Sequence, residues 1–224
     1  ITEGLDNLSQ RMEDYKSIGA KFAKWRAVIT IGEKIPSLAC MVSNSHALAR
    51  YASICQEVDI VPIVEPEVLM DGSHDIKKCF EVTNEMQSTL FEELDKLNII
   101  NSGIILKPNM VTPGSTCEKK ASAEEIAEST VMCLGNNIPK DVPGIAFLSG
   151  GQSDQDASNN LNFINKINDN PWKLTFSYGR ALQLEAMKKW QGNNDNKEEA
   201  QKILSKRAYL NSLAASGNYD LEME

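Results

Sequence analysis

An α/β fold built on a parallel sheet is predicted by three observations in this 224-residue sequence. Short apolar runs alternate with longer helical patterns; the runs are continuously apolar; and charged or glycine-rich groups gather where each run ends. Parallel strands covered by helices on both faces have this character, the helices serving as crossovers. A composition of 42% hydrophobic and 24% charged residues is ordinary for a globular chain.

In order, a helical pattern over about 4–18 precedes a strand candidate at 22–29. A helix running through 46–57, with His46 near its start, leads to the apolar run 60–64. A long amphipathic helix over about 76–97 is followed by the strand 103–107, on which Gly103, Ile105 and Lys107 share one face. Ser122 with Glu125 three residues on forms a capping box for the next helix. The strand 145–148, a helix from about 154, the strand 173–176 and two helices over about 179–190 and 195–215 complete the chain.

Five βα units in a row leave two architectures, an open doubly wound sheet or part of a (β/α)8 TIM barrel. No GxGxxG or P-loop pattern follows a strand, which removes the usual support for the open sheet. Polar groups at the C-terminal ends of all five strands match the place where barrels build their sites. The expectation is one domain over 1–224, comprising about the last five βα units of a barrel. The sequence begins at Ile1 without an initiator methionine, so the native start is expected upstream.

Composition excludes several function classes. A net charge of −8 argues against a nucleic-acid binder, which needs a basic face for phosphates. No run approaches the ~18 apolar residues of a membrane-spanning helix. Five scattered cysteines without CxxC spacing point to reduced thiols in a cytoplasmic setting. With His46 and His74 the only histidines, no metal site is expected, and no cofactor either.

The strand ends carry the chemistry. Lys24 and Arg26 share a face of the first strand, as paired cations or as solvated charges. Glu65 and Glu67 follow a buried run; they are either carboxylates desolvated for proton transfer or acids of a turn. Lys107 ends the third strand before Pro108, and a free amine there would be a nucleophile toward a ketone; structural lysines also end strands. Ser149-Gly150-Gly151 and Ser177-Tyr178-Gly179-Arg180 end the last two strands. Close backbone approach, free N–H groups of a helix start and a guanidinium would together suit a phosphate.

These residues lie in segments that resemble the class I fructose-bisphosphate aldolase family. IILKPNMVTPG over 104–114 is similar to the family's Schiff-base segment. AKFAKWR (20–26), IVPIVEPE (60–67), FLSGGQS (147–153), LTFSYGRAL (174–182) and the stretch 207–219 keep family order and spacing. The resemblance implies a lyase of glycolysis and gluconeogenesis that cleaves fructose 1,6-bisphosphate to dihydroxyacetone phosphate and glyceraldehyde 3-phosphate. It implies that Lys107 forms the Schiff base, Glu65 is the acid/base group, Glu67 shapes the electrostatics and Lys24 stabilises developing charge. Arg26 would contact the far phosphate, and Ser149, Gly150, Ser177, Gly179 and Arg180 the other. By the same resemblance the substrate is a sugar phosphate, the assembly a homotetramer and the location cytoplasmic.

The sequence departs from the family at Ser102, where glutamate is usual, and at Ile105. Three strands, bearing in the family an aspartate and a further lysine of the site, have no counterpart here. Two alternatives stay open: another Schiff-base sugar-phosphate aldolase, such as a transaldolase, or a catalytically incomplete fragment or scaffold on the same fold.

Overall fold

The computed structural model describes residues 1–224. Its elements run α1 (Leu8–Ser17), β1 (Phe22–Ile29), α2 (Leu38–Glu57), β2 (Val61–Val68), α3 (Ile76–Lys96), β3 (Ile105–Leu106), α4 (Ala123–Asn137), β4 (Gly144–Phe147), α5 (Asp154–Ile167), β5 (Lys173–Phe176), α6 (Arg180–Trp190) and α7 (Lys197–Ala214). The strands form one parallel sheet in the order β1-β2-β3-β4-β5. Sequential parallel neighbours joined by helical crossovers are consecutive units of a (β/α)8 barrel, as predicted.

Local chemistry explains the boundaries. Ser37, Asp75, Ser122 and Ser153 each accept a hydrogen bond from a first-turn N–H and so open α2, α3, α4 and α5. At Ser122 the full capping box forms, with Glu125 returning to the Ser122 N–H. Because Ser37 starts α2 at Leu38, His46 lies well inside that helix and not near its start. The first helix begins later than the periodicity suggested, since Gly4 (φ +132°) and Asn7 (φ 53°) hold left-handed backbone.

Two strand expectations need correction. Gly103 closes a 3-10 turn (Asn101–Gly103), so only Ile105 and Leu106 pair, and Gly103 shares no strand face with Lys107. The Glu65-Pro66-Glu67 stretch is no turn: β2 continues through it to Val68, paired with Arg26, Ala27 and Val28 of β1.

A core cluster of 40 buried residues draws side chains from every strand and helix, so sheet and helical layer share it. Trp25, Ala27 and Ile29 of β1 face the helices, with the Trp25 ring 5.6 Å from that of Tyr51 on α2. Lys24 and Arg26 therefore project from the opposite face. The expected burial on both faces holds for β2, whereas β1 and β5 alternate in exposure. Both are edge strands whose inner face lacks a cover, which leaves the alternating pattern of a one-sided sheet.

Candidate active site

Along β1 and β2 and just past the end of β3 the structure gathers four charged side chains expected to act together, and Arg26 with them. Glu65 is 3% exposed, held at the middle of the β2 strand by its ladder to β1. Its Oε1 lies 3.2 Å from Lys107 Nζ and its Oε2 2.9 Å from Lys24 Nζ. One carboxylate is thus shared by two ammonium groups, the arrangement that makes its burial affordable. The reading of Glu65 and Glu67 as acids of a turn does not survive, since both are buried in the strand.

The second pair runs parallel to the first. Arg26 Nε donates a short hydrogen bond to Glu67 Oε2. That bond leads the influences that raise the guanidinium above its ordinary range, ahead of opposing desolvation and the attraction of Glu67 and Glu65. Lys24 pairs in register with Ile63 and Arg26 with Glu65, yet each cation reaches the carboxylate two residues further along β2. Both lean the same way, as diagonal neighbours on a twisted parallel pair. Lys107 follows β3, and its backbone N–H continues the ladder by donating to Val64 O at 2.8 Å. Its side chain is only 14% exposed, whereas those of Lys24 and Arg26 remain about half open.

At β4 and β5 lie the residues expected to meet a phosphate. Ser149 is buried, and Gly150 (φ +60°) and Gly151 (φ +94°) take left-handed backbone that favours glycine. A β-carbon on Gly151 would stand 3.9 Å from Arg180 Nη2, which places the guanidinium over this loop. Ser177 N–H donates to Phe147 O at 2.8 Å and extends the β4–β5 ladder toward Gly179, the residue before α6. Tyr178 fixes that approach: its buried hydroxyl donates to Ala157 O at 2.9 Å, and desolvation pushes the phenol far up. A cavity of about 380 Å³ opens beside Gly151, Arg180, Lys188 and Arg207, with Asp154 and Glu185 also on its wall. Arg207 is held there by Asp154 and Glu224, whereas Arg180 forms no ion pair.

Two site-building residues escaped the sequence reading. Gln152 donates to Ser149 O at 3.0 Å and accepts from Asn160 Nδ2 at 2.7 Å, bracing the glycine loop. Asn109 is 5% exposed and bonds both β2 and α3. Its signal was present: a proline at 108 removes a ladder donor, and a polar amide in an apolar stretch is a candidate to replace one. The histidines lie apart, His46 against Glu93 and His74 in the β2–α3 loop, and no group of three or more His, Cys, Asp or Glu is disposed around a common point. No helix is long and apolar enough to cross a membrane.

A family model for class-I fructose-bisphosphate aldolase matches residues 1–224. The chain belongs to that family. Among the aldolases it is similar to, a probable fructose-bisphosphate aldolase class 1 of Xanthomonas axonopodis pv. citri is 53% identical over 220 residues, 98% of this chain and 66% of that protein. Fructose-bisphosphate aldolase C of Homo sapiens is 51% identical over 98% of this chain and 60% of its own. The solved fructose-bisphosphate aldolase of Plasmodium falciparum, in a complex with TRAP and a small-molecule inhibitor, superposes with a TM-score of 0.95 at 45% identity. That alignment covers 97% of this chain and 63% of the other. The chain therefore spans somewhat less than two thirds of the length of these aldolases.

Proposed function

We propose that this chain carries the Schiff-base half-site of a fructose-bisphosphate aldolase, with Lys107 as the nucleophile toward the ketone of a sugar phosphate. The observation that carries the proposal is Glu65, buried and contacted by Lys107 at 3.2 Å and Lys24 at 2.9 Å. The Lys107 amine adds to the C2 carbonyl, and Glu65 hands over and takes back protons as the carbinolamine forms and loses water. The resulting protonated imine accepts the electron pair of the breaking C3–C4 bond while the C4 hydroxyl gives up its proton. Glyceraldehyde 3-phosphate departs, and protonation of the enamine followed by hydrolysis releases dihydroxyacetone phosphate and the free lysine. Lys24 opposes charge that develops beside Lys107, and Arg26, oriented by Glu67, meets the far phosphate. Ser149, Gly150, Ser177, Gly179 and Arg180 hold the other through N–H groups, hydroxyls and a guanidinium.

The proposal extends to a cytoplasmic place in glycolysis and gluconeogenesis and to a homotetrameric assembly, both by analogy with the family. A second reading, an aldolase-fold chain that binds substrate without turning it over, is favoured by one fact: the matched aldolases are longer than the stretch they share with it. Borohydride trapping with dihydroxyacetone phosphate separates the two. A reduced adduct on Lys107, absent from Lys107→Ala, together with cleavage of fructose 1,6-bisphosphate, is the expected result. An adduct without cleavage selects the second reading. A folded protein with no adduct on Lys107 overturns the Schiff-base assignment.

A further inference from the structure

The backbone that carries Lys107 is tied down by a side chain where a strand ladder should be. β3 stops at Leu106, Lys107 N–H makes the last backbone bond to β2, at Val64 O, and Pro108 has no N–H to continue that ladder. The Pro108 carbonyl still accepts from Leu148 N–H at 3.1 Å on the β4 side. β2 runs on to Val68, a residue 3% exposed, whose buried N–H would otherwise stay unpaired at a cost. Asn109 Oδ1 accepts that N–H at 2.9 Å. Its Nδ2 donates to Thr83 Oγ1 of α3 at 3.2 Å and to Met110 O at 3.0 Å. The amide stands in for a strand pair and adds an anchor in the helical layer, where Thr83 is 2% exposed.

The two ties bracket the proposed chemistry. Val64 and Val68 flank Glu65 on β2; Lys107 and Asn109 are their partners across the gap. With both in place, the backbone around Lys107 is held against β2 on either side of Glu65, and Lys107 reaches Glu65 through its own flexible stem. We infer that Asn109 is a positioning residue, holding the Lys107 backbone at the distance from β2 that sets the ammonium against Glu65. This rests on the proposed role of Lys107 as nucleophile. It makes Asn109 responsible for the rate of the amine's reaction and not for the affinity of the phosphate, which is met at β4 and β5. Misplacement of a reacting group by about 1 Å costs roughly 100-fold in rate.

The test compares wild type with Asn109→Leu, a substitution of similar size that loses all three bonds, and Asn109→Asp, which keeps the acceptor for Val68 N–H. Borohydride trapping of dihydroxyacetone phosphate on Lys107 is followed against ligand concentration and pH. Asn109→Leu is expected to lower the saturating rate roughly 100-fold with little change in the half-saturating concentration. Asn109→Asp should recover most of the rate. If Asn109→Leu does not fold, Thr83→Val is read in its place. It removes the α3 anchor of Asn109 together with the weak Thr83–Cys79 contact, leaves the bond to Val68 N–H, and should slow trapping by a smaller factor, about 3- to 10-fold. A folded variant that labels at the wild-type rate, or one that changes only the half-saturating concentration, overturns the inference. Should wild type itself not label, the Schiff-base reading fails separately. The positioning claim is then decided by reductive methylation of Lys107 with formaldehyde. A pH–rate profile displaced in Asn109→Leu supports it, and an unchanged profile overturns it.

Discussion

Glu65 carries opposite obligations to two lysines, and Arg180 carries none, which makes them instructive residues to substitute. Removing one partner of a buried charge group leaves the others uncompensated, so changes at Glu65 mix chemistry with stability. Arg180 is exposed, free of ion pairs and close to Gly151, so its loss should leave the fold intact. Arg180→Ala is therefore expected to weaken binding of a ketose bisphosphate by roughly 10- to 100-fold, the worth of a charge-assisted hydrogen-bonded contact. The Lys107 trapping rate at saturation should change little. Titration calorimetry beside the trapping assay checks both, and unchanged affinity would remove Arg180 from the phosphate site.

Among the elements, α2 and α3 are joined by Glu93, a 7%-exposed carboxylate on α3 that receives Lys96 Nζ at 2.6 Å and lies 2.9 Å from His46 Nδ1 on α2. The Lys96 hydrogen bond and then the His46 contact hold the Glu93 carboxyl below its usual range, against the opposing effect of burial. A folded-state value below the unfolded one means stability that is complete above the unfolded value and lost as pH falls through the folded one. The unfolded value for glutamate is about 4.3, so the loss begins near that pH and continues below it. Wild type should lose thermal stability more steeply than Glu93→Gln on acidification from about pH 5 to pH 3. Parallel melting curves in that interval would refute the coupling. The loops between elements show the same dependence on contact: Gly114, Ser115 and Thr116 donate to His74, Met70 and Gly72. A β-carbon on Gly114 would fall 2.2 Å from Gly72 O. Glycine at 114 follows from that close approach, which no periodicity announces.

For the molecule as a whole, the sheet order leaves β1 and β5 each with one unpaired edge. Unpaired strand edges are templates for association. Residues near Ile1 cover part of the β1 edge, where the Thr2 hydroxyl donates to Arg26 O at 2.6 Å, while Phe22 at the start of that strand remains 64% exposed. A protein of these 224 residues is therefore expected to self-associate as concentration rises. Sedimentation velocity from low to high micromolar concentration checks this, and a single monomeric species with a sharp cooperative melt would overturn it.

Much of this molecule was legible before its coordinates. The bounds of β1 and β5, the capping box at Ser122, the βα alternation and the family segments follow from local chemistry and from chemical types at strand ends, which a linear chain records directly. Tertiary structure decided which charges meet. Nothing in the spacing of Lys24, Glu65 and Lys107 states that one carboxylate serves both lysines, because that depends on the register of β1 on β2 and of β2 on β3. The sequence left the Glu65-Pro66-Glu67 stretch open between the lip of a buried strand and a turn, and it is strand because the ladder to β1 outweighs local preference. Asn109 announced itself only as a polar amide after a proline; its value lies in an N–H of Val68, 41 residues away, that only the folded chain leaves without a partner.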